Sequence, residues 1–443
     1  MARLDLSPCD ARVVVDSLGS VTVPHDVLYG AHTARAIENF HVSGFALRDL
    51  PDFVAALAQV KIACAMANSE LGDLPPAVAD AIVAAGREIV AGAWIDQFPI
   101  DVVQGGGGTA TNMNVNEVIA RRATQLLRAA SKEEQSEGST IVHPNDHVNR
   151  AQSTNDVYPT AMALAVHRRA VDALDAFSHL AGVLERKAQE YPHLQRLGRT
   201  CLQDALPLGV AETHRCQAHA IARTSARLAQ AADQLLEVPL GATAVGTGFG
   251  APAGYRSRVV SLLIQESGVS VRQSSDCFDS LAHLDAYVGV MGALVQVMLV
   301  LRKLAADLRL LSSGPHGGLG EITLPAIQVG SSMMPGKVNP VIPELTMQIA
   351  SEVRGAAAII ESATADGELE LNVMEPVITR HALCSMGDAG RVARLLADRC
   401  VAGLVWNVNL VERHLDASLA GTVEQAVRGG YDAALSAQRE AAG

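Results

Sequence analysis

Aromatic side chains are scarce in this 443-residue chain, at 3% of the total, although apolar residues make up 49%. A core without large rings must be built mainly from Ala, Val and Leu. Small side chains let helices approach closely, so the composition favours a helical bundle over an aromatic-rich sandwich. Cationic residues are also in deficit: 35 Lys and Arg face 47 Asp and Glu, for a net charge of −12. That balance argues against a nucleic-acid or anionic-membrane surface, and any cationic group that holds an anionic ligand must be local. The seven cysteines (Cys9, Cys64, Cys201, Cys216, Cys277, Cys384 and Cys400) form no CxxC pair and no metal-ligand spacing. No metal site is expected, and a reduced cytoplasm fits best. The N-terminal MARLDLSPCDARVVVD has no apolar stretch after its first charge, so no secretory signal is expected. The run from Ala286 to Leu301, apolar apart from Gln296, falls short of the roughly 20 residues that span a bilayer. It is expected to be the central helix of a bundle, buried on all sides.

What is present reads as a mainly helical chain in three parts. Residues 1–140 mix a strand-like RVVVDSLGSVTVP with helical stretches near 51–70 and 75–93 and the Gly-rich loop QGGGGTATNMN at 104–114. Residues 141–396 carry long periodic segments. The first places Val171, Leu174, Phe177, Leu180 and Leu184 at helical spacing, and the others run from about Asp204 to Glu237 and from about Tyr255 to Leu311. Helices near 343–363 and 376–398 follow, and residues 397–443 suit a small helical cap.

Four polar segments interrupt the helices: GGGGTATNMN, HPNDHVNRAQSTND, GRTCLQD and GSSMMPGKVNP. The last is the most informative. Gly330 and Gly336 permit backbone conformations closed to other residues, and Ser331, Ser332, Lys337 and Asn339 stand together on one loop. An amine and two hydroxyls there can bind an anion, and backbone N–H groups can form a nest that favours a deprotonated hydroxyl. Asn155 and Asp156 precede a helix with Pro159 near its start, whose N-terminus offers further donors to an anion. A flexible connector for the first loop and a simple N-cap at Ser153 to Asn155 are the bland alternatives.

GSSMMPGKVNP resembles the signature loop of the aspartase/fumarase superfamily, GSSxMPxKxNP, and matches it at every fixed position. The likeness extends through YGAHTARAIENF, NMNVNEV, HPNDHVN, QSTND, GATAVGTG and LNVMEPVI, nearly the whole chain. It implies an all-α, three-domain fold whose long helices tetramerise into a multi-helix core, with each site shared by three subunits. It also implies a lyase that removes a proton beside a carboxylate of a small dicarboxylate or amino-dicarboxylate, without a cofactor. In the family, the serine matching Ser331 is the base. Lys337 and Asn339 match residues that stabilise the resulting aci-carboxylate, a task that calls for concentrated positive charge and N–H donors. Thr109, Ser153, Thr154 and Asn155 match residues that hold the other end of the substrate, and Thr200 and Cys201 also match substrate-binding positions. Glu344 matches a glutamate paired with histidine in fumarases. His143, Asn145 and Asp146 resemble a second, surface anion site, although a satisfied loop histidine is the competing role.

Within the family, PGKVNPVIPE, LNVMEPVI and HTARAIENF lie closer to aspartases than to the NPTQCE and LNVFKP patterns of class II fumarases. Gly107 stands where fumarases carry serine. Cys201 departs from the fumarase GRTH and offers no imidazole relay for water activation. These features favour an aspartate ammonia-lyase. A lyase for an N-substituted aspartate or succinyl adduct, a fumarate hydratase and a silent oligomeric homologue are the alternatives. Gly250 replaces the asparagine of GTGLNAP, and the sequence ends soon after GGYDAALSAQREAAG, which suggests a trimmed cap. A nucleotide-binding reading fails because neither GGGG nor GTGFG has the GxGxxG setting between a strand and a helix.

Overall fold

The computed structural model describes residues 11–131 and 141–442; Cys9 lies outside them. In chain order the elements begin with a hairpin of β1 (Ala11–Asp16) and β2 (Gly19–Pro24), followed by α1 (Ala31–Asn39), α2 (Pro51–Glu70), α3 (Pro76–Val90) and α4 (Thr109–Ser131). Next come α5 (Thr154–Glu190), a second hairpin of β3 (Gln195–Thr200) and β4 (Gln203–Gly209), α6 (Val210–Gln234), α7 (Tyr255–Ser267), α8 (Cys277–Ala282) and α9 (Asp285–Leu311). The chain ends with α10 (Val341–Ala365), α11 (Glu375–Leu396), α12 (Val408–Asp416), α13 (Ala420–Gly429) and α14 (Tyr431–Ala442). The mainly helical class read from composition is therefore observed.

Two compact units share these elements. One comprises residues 11–131, 141–170, 230–292 and 355–386; the other comprises 171–229, 293–354 and 387–442. In the first unit α2 and α3 each open on proline at N1 or N2, where the missing N–H costs no helical bond. Helix α2 is buried along most of its length, with Ala56, Ala58, Ala63 and Ala67 fully inside. The helices meet closely: a Cβ on Gly86 of α3 would lie 2.6 Å from Ile62 Cγ1. The few rings are used as wedges, with Phe53 set edge-on to Tyr158 at 5.0 Å. The second unit has the same small-residue contact, where a Cβ on Gly390 would come within 3.2 Å of Ala173 Cα. Lys187, almost fully buried there, donates to the carbonyls of Ala402 and Leu404.

Four expectations need correction. The segment expected to be helical from Asp204 begins as β4, and its helix starts only at Val210, because Pro207 and Gly209 suit an edge strand and its end. The stretch from Tyr255 to Leu311 is broken: Gly268 caps α7 at φ +69°, and α8 and α9 follow separately. Residues 104–114 are a loop only as far as Gly108, since α4 begins at Thr109. Helix α9 is not buried on all sides of this chain. Half of its most apolar window is buried, and Leu299 is 45% exposed.

Candidate functional site

The first unit gathers Thr109, Ser153, Thr154 and Asn155 around two helix N-termini. Gly106, Gly107 and Gly108 all have positive φ, and a Cβ on Gly108 would lie 2.2 Å from the Tyr158 ring. This glycine turn delivers Thr109 to the start of α4, where its Oγ1 donates to the Gly106 carbonyl at 2.8 Å. Helix α5 starts at Thr154, so Asn155 and Asp156 occupy its first turn rather than preceding it. The start is a reciprocal cap. Ser153 Oγ accepts from Asn155 N at 3.2 Å, and Asp156 Oδ1 accepts from Ser153 N at 2.9 Å. The N-cap reading of Ser153 therefore holds. Asn155 Nδ2 donates to the Ala244 carbonyl at 2.7 Å.

Beneath this turn lies a buried polar network that the sequence did not announce. Asn149 Oδ1 accepts from Lys61 Nζ, Asn112 Nδ2 and Asn116 Nδ2 at 3.0–3.1 Å, and Lys61 also donates to Gln152 Oε1 at 2.8 Å. Asn112 then reaches Thr154 Oγ1 at 3.2 Å. Burial pushes the Lys61 ammonium down to about 7. Burial likewise lifts the Asp156 carboxyl to about 6, against three N–H bonds that favour its ionised form. The available signal for Lys61 was a single cation inside the otherwise apolar VKIACAMA of α2.

Thr109, His143 and Asn145 line one cavity of about 670 Å³, together with His32 and Arg35. Arg35 is paired with Asp16 at 2.8 and 3.1 Å. His143 Nδ1 accepts from Asn145 N and Asp146 N at 3.3 and 3.1 Å, capping the π-turn Pro144–Val148. Asp146 does not line the cavity; its carboxylate lies 3.2 Å from His143 Nδ1.

The second unit carries the remaining candidates. The loop holding Ser331 is closed at its neck, where Gly330 N donates to the Lys337 carbonyl at 3.0 Å and Asn339 Nδ2 donates to the Gly330 carbonyl at 2.7 Å. A Cβ on Gly330 would lie 2.3 Å from the Lys337 carbonyl oxygen, so only glycine fits this crossing. Ser331 Oγ accepts from the backbone N–H groups of Met333 and Met334 at 3.1 and 2.9 Å. Two donors converging on one hydroxyl oxygen lower the energy of any negative charge that develops there. Ser332, Gly336 and Lys337 are exposed, Gly336 at φ +81°. Glu344 stands in the first turn of α10 with Arg309 Nε 3.9 Å away.

Thr200 ends β3, and Cys201 and Leu202 form the two-residue turn to β4 at φ +54° and +62°. Such turns normally take Asn-Gly, so this pair is strained. Cys201 is exposed at the tip of this turn. The neighbouring Arg199 is anchored on fully buried Glu321 at 2.5 Å, which His414 also contacts at 2.9 Å.

A protein-family model described as lyase matches residues 19–355. The chain is 41% identical over 409 residues to aspartate ammonia-lyase of Corynebacterium glutamicum, covering 92% of this chain and 77% of that protein. It is 40% identical over 437 residues to class II fumarate hydratase of Thermosynechococcus vestitus, covering 98% and 91%. Among solved structures it is similar to a fumarate lyase:delta crystallin from Brucella melitensis bound to cobalt. The TM-score is 0.92 at 41% identity, covering 97% of this chain and 93% of that one.

Proposed function

This chain belongs to the lyase family of aspartases and class II fumarases, and on that premise we propose that it is an aspartate ammonia-lyase with Ser331 as its base. The observation that carries the reading is the environment of Ser331 Oγ. It receives two backbone N–H bonds on a loop that also bears Lys337 and Asn339. A serine acting as a base must be stabilised as it loses its proton, and converging amides do that without adding a group that itself titrates.

The reaction is an anti elimination. Ser331 takes the proton from C3 of L-aspartate, and the electron pair passes into the adjacent carboxylate to give an aci-carboxylate dianion. Lys337 and Asn339 stabilise that dianion. Collapse of the dianion forms the C2–C3 double bond and breaks the C2–N bond, releasing fumarate and ammonia. The proton on Ser331 then returns to solvent. Loop closure over the substrate excludes the water that would otherwise screen these charges. Thr109, Ser153, Thr154 and Asn155 hold the opposite end, and Thr200 and Cys201 border the site. The half-exposed apolar surface of α9 supports assembly with further copies. A homotetramer with each site drawn from three subunits is the proposed form, in the cytoplasm.

Cys201 favours a second reading over hydration. With a thiol where fumarases carry imidazole, water activation loses its relay, while the smaller side chain leaves room for a substituted amine. Purified protein should be incubated with L-aspartate, with fumarate plus ammonia, and with fumarate alone, following the ultraviolet absorbance of fumarate. The proposal expects fumarate from aspartate and ammonia-dependent loss of fumarate in reverse. Ammonia-independent malate formation would replace it with the hydratase, and inactivity on all three would move the assignment to an N-substituted aspartate.

A further inference from the structure

We propose that Asp156 is a positioning residue for Asn155, acting through the strained turn at residues 241–244; the inference rests on the functional reading above. Asp156 is fully buried, too deep to touch a substrate. Its Oδ1 accepts from Ser153 N at 2.9 Å, and its Oδ2 accepts from Gly241 N and Thr243 N, both at 3.0 Å. All three partners are donors, so the bonds call for the ionised carboxylate. One oxygen thus fixes the start of α5, which offers Ser153 and Asn155, and the other fixes the turn.

That turn is under strain. Thr243 is β-branched yet sits at φ +57°, a conformation such residues keep only where their surroundings impose it. Gly241, at φ +90°, has no room for a side chain, since a Cβ would lie 2.9 Å from Arg256 Cα. The turn presents the Ala244 carbonyl that receives Asn155 Nδ2 at 2.7 Å. A carbonyl only accepts, so this bond sets which end of the Asn155 amide faces the turn and which faces a ligand. Without the Asp156 carboxylate, Thr243 relaxes, the Ala244 oxygen moves and the Asn155 amide loses its fixed orientation.

The test is a double-mutant cycle on L-aspartate with a crystal structure of Asp156→Asn. The substitution turns an N–H donor towards N–H partners, so KM should rise at least tenfold while kcat falls less. The double variant with Asn155→Ala should be no worse than Asn155→Ala alone, because both remove the same interaction. In the crystal, the Asn155–Ala244 bond should be broken. Adding Thr243→Gly, which takes φ +57° without strain, should restore most of the lost KM in the Asp156→Asn background. That same pair serves as the test should Asp156→Asn alone give no soluble protein. Multiplicative effects in the cycle, an intact Asn155–Ala244 bond, or no recovery with Thr243→Gly would each overturn the proposal. A wild-type enzyme inactive on L-aspartate would instead overturn the functional reading, and the crystal structure would still decide the positioning role.

Discussion

Replacing Gly330 by alanine isolates the signature loop from the rest of the fold. The added Cβ would lie 2.3 Å from the Lys337 carbonyl oxygen and 3.0 Å from Asn339 N. Both are backbone atoms that cannot swing aside, so the neck must open. Opening it removes the Gly330–Lys337 bond at 3.0 Å and the Asn339–Gly330 bond at 2.7 Å. At about 1 kcal/mol net for each hydrogen bond, the ordered loop loses about 2 kcal/mol, or roughly a 30-fold drop in its population. Initial rates at saturating L-aspartate should fall by about that factor. Thermal melting should barely move, because the loop beyond the neck is exposed and holds no core. Gly336→Ala is the internal comparison: its Cβ meets nothing within 4 Å, so only the positive φ is penalised, by about 1–2 kcal/mol. A Gly330→Ala enzyme within twofold of wild type would refute the reasoning that the neck orders Ser331.

Two further outcomes test the first unit. Gly108→Ala should destabilise the protein by about 3 kcal/mol or more, since its Cβ would enter the Tyr158 ring at φ +81°; a thermal midpoint equal to wild type would contradict the packing described. Lys61 gives a pH signature with a definite sign. Its folded value is depressed from 10.5 to about 7, so between those values the unfolded chain holds a proton that the folded chain has released. Stability should therefore rise with pH from about 7 to 10.5 on this account. Urea melts should show that rise in wild type and a flatter profile in Lys61→Met.

The sequence disclosed elements whose signals are local. Pro51 and Pro76 open helices close to where the apolar period begins, and the predicted ranges 51–70 and 75–93 match α2 and α3 closely. It failed where one residue overrides the period: Gly268 ends a pattern that otherwise continues to Leu311, and Pro207 with Gly209 turns apparent helix into strand. The burial of α9 was misjudged because an apolar sequence does not say whether its cover comes from the same chain. The site divides in the same way. Ser331, Lys337 and Asn339 could be named together as candidates because they lie within a few residues of one another, on a loop that closes on itself between Gly330 and Lys337. The network of Lys61, Asn112, Asn149 and Thr154 was not, because its members come from α2, α4, the 149–152 loop and α5. Nothing in the spacing of those residues brings them together.

The most direct measurement is the turnover of L-aspartate by Ser331→Ala, compared with wild type at equal concentration of assembled protein. Removing the hydroxyl leaves Lys337, Asn339 and the glycine neck in place, so oligomer size and melting temperature should be retained while fumarate production falls by at least a thousandfold, in line with loss of a catalytic base and its associated proton transfer. An alanine enzyme that keeps a tenth or more of the wild-type rate would show that the proton leaves carbon by another route.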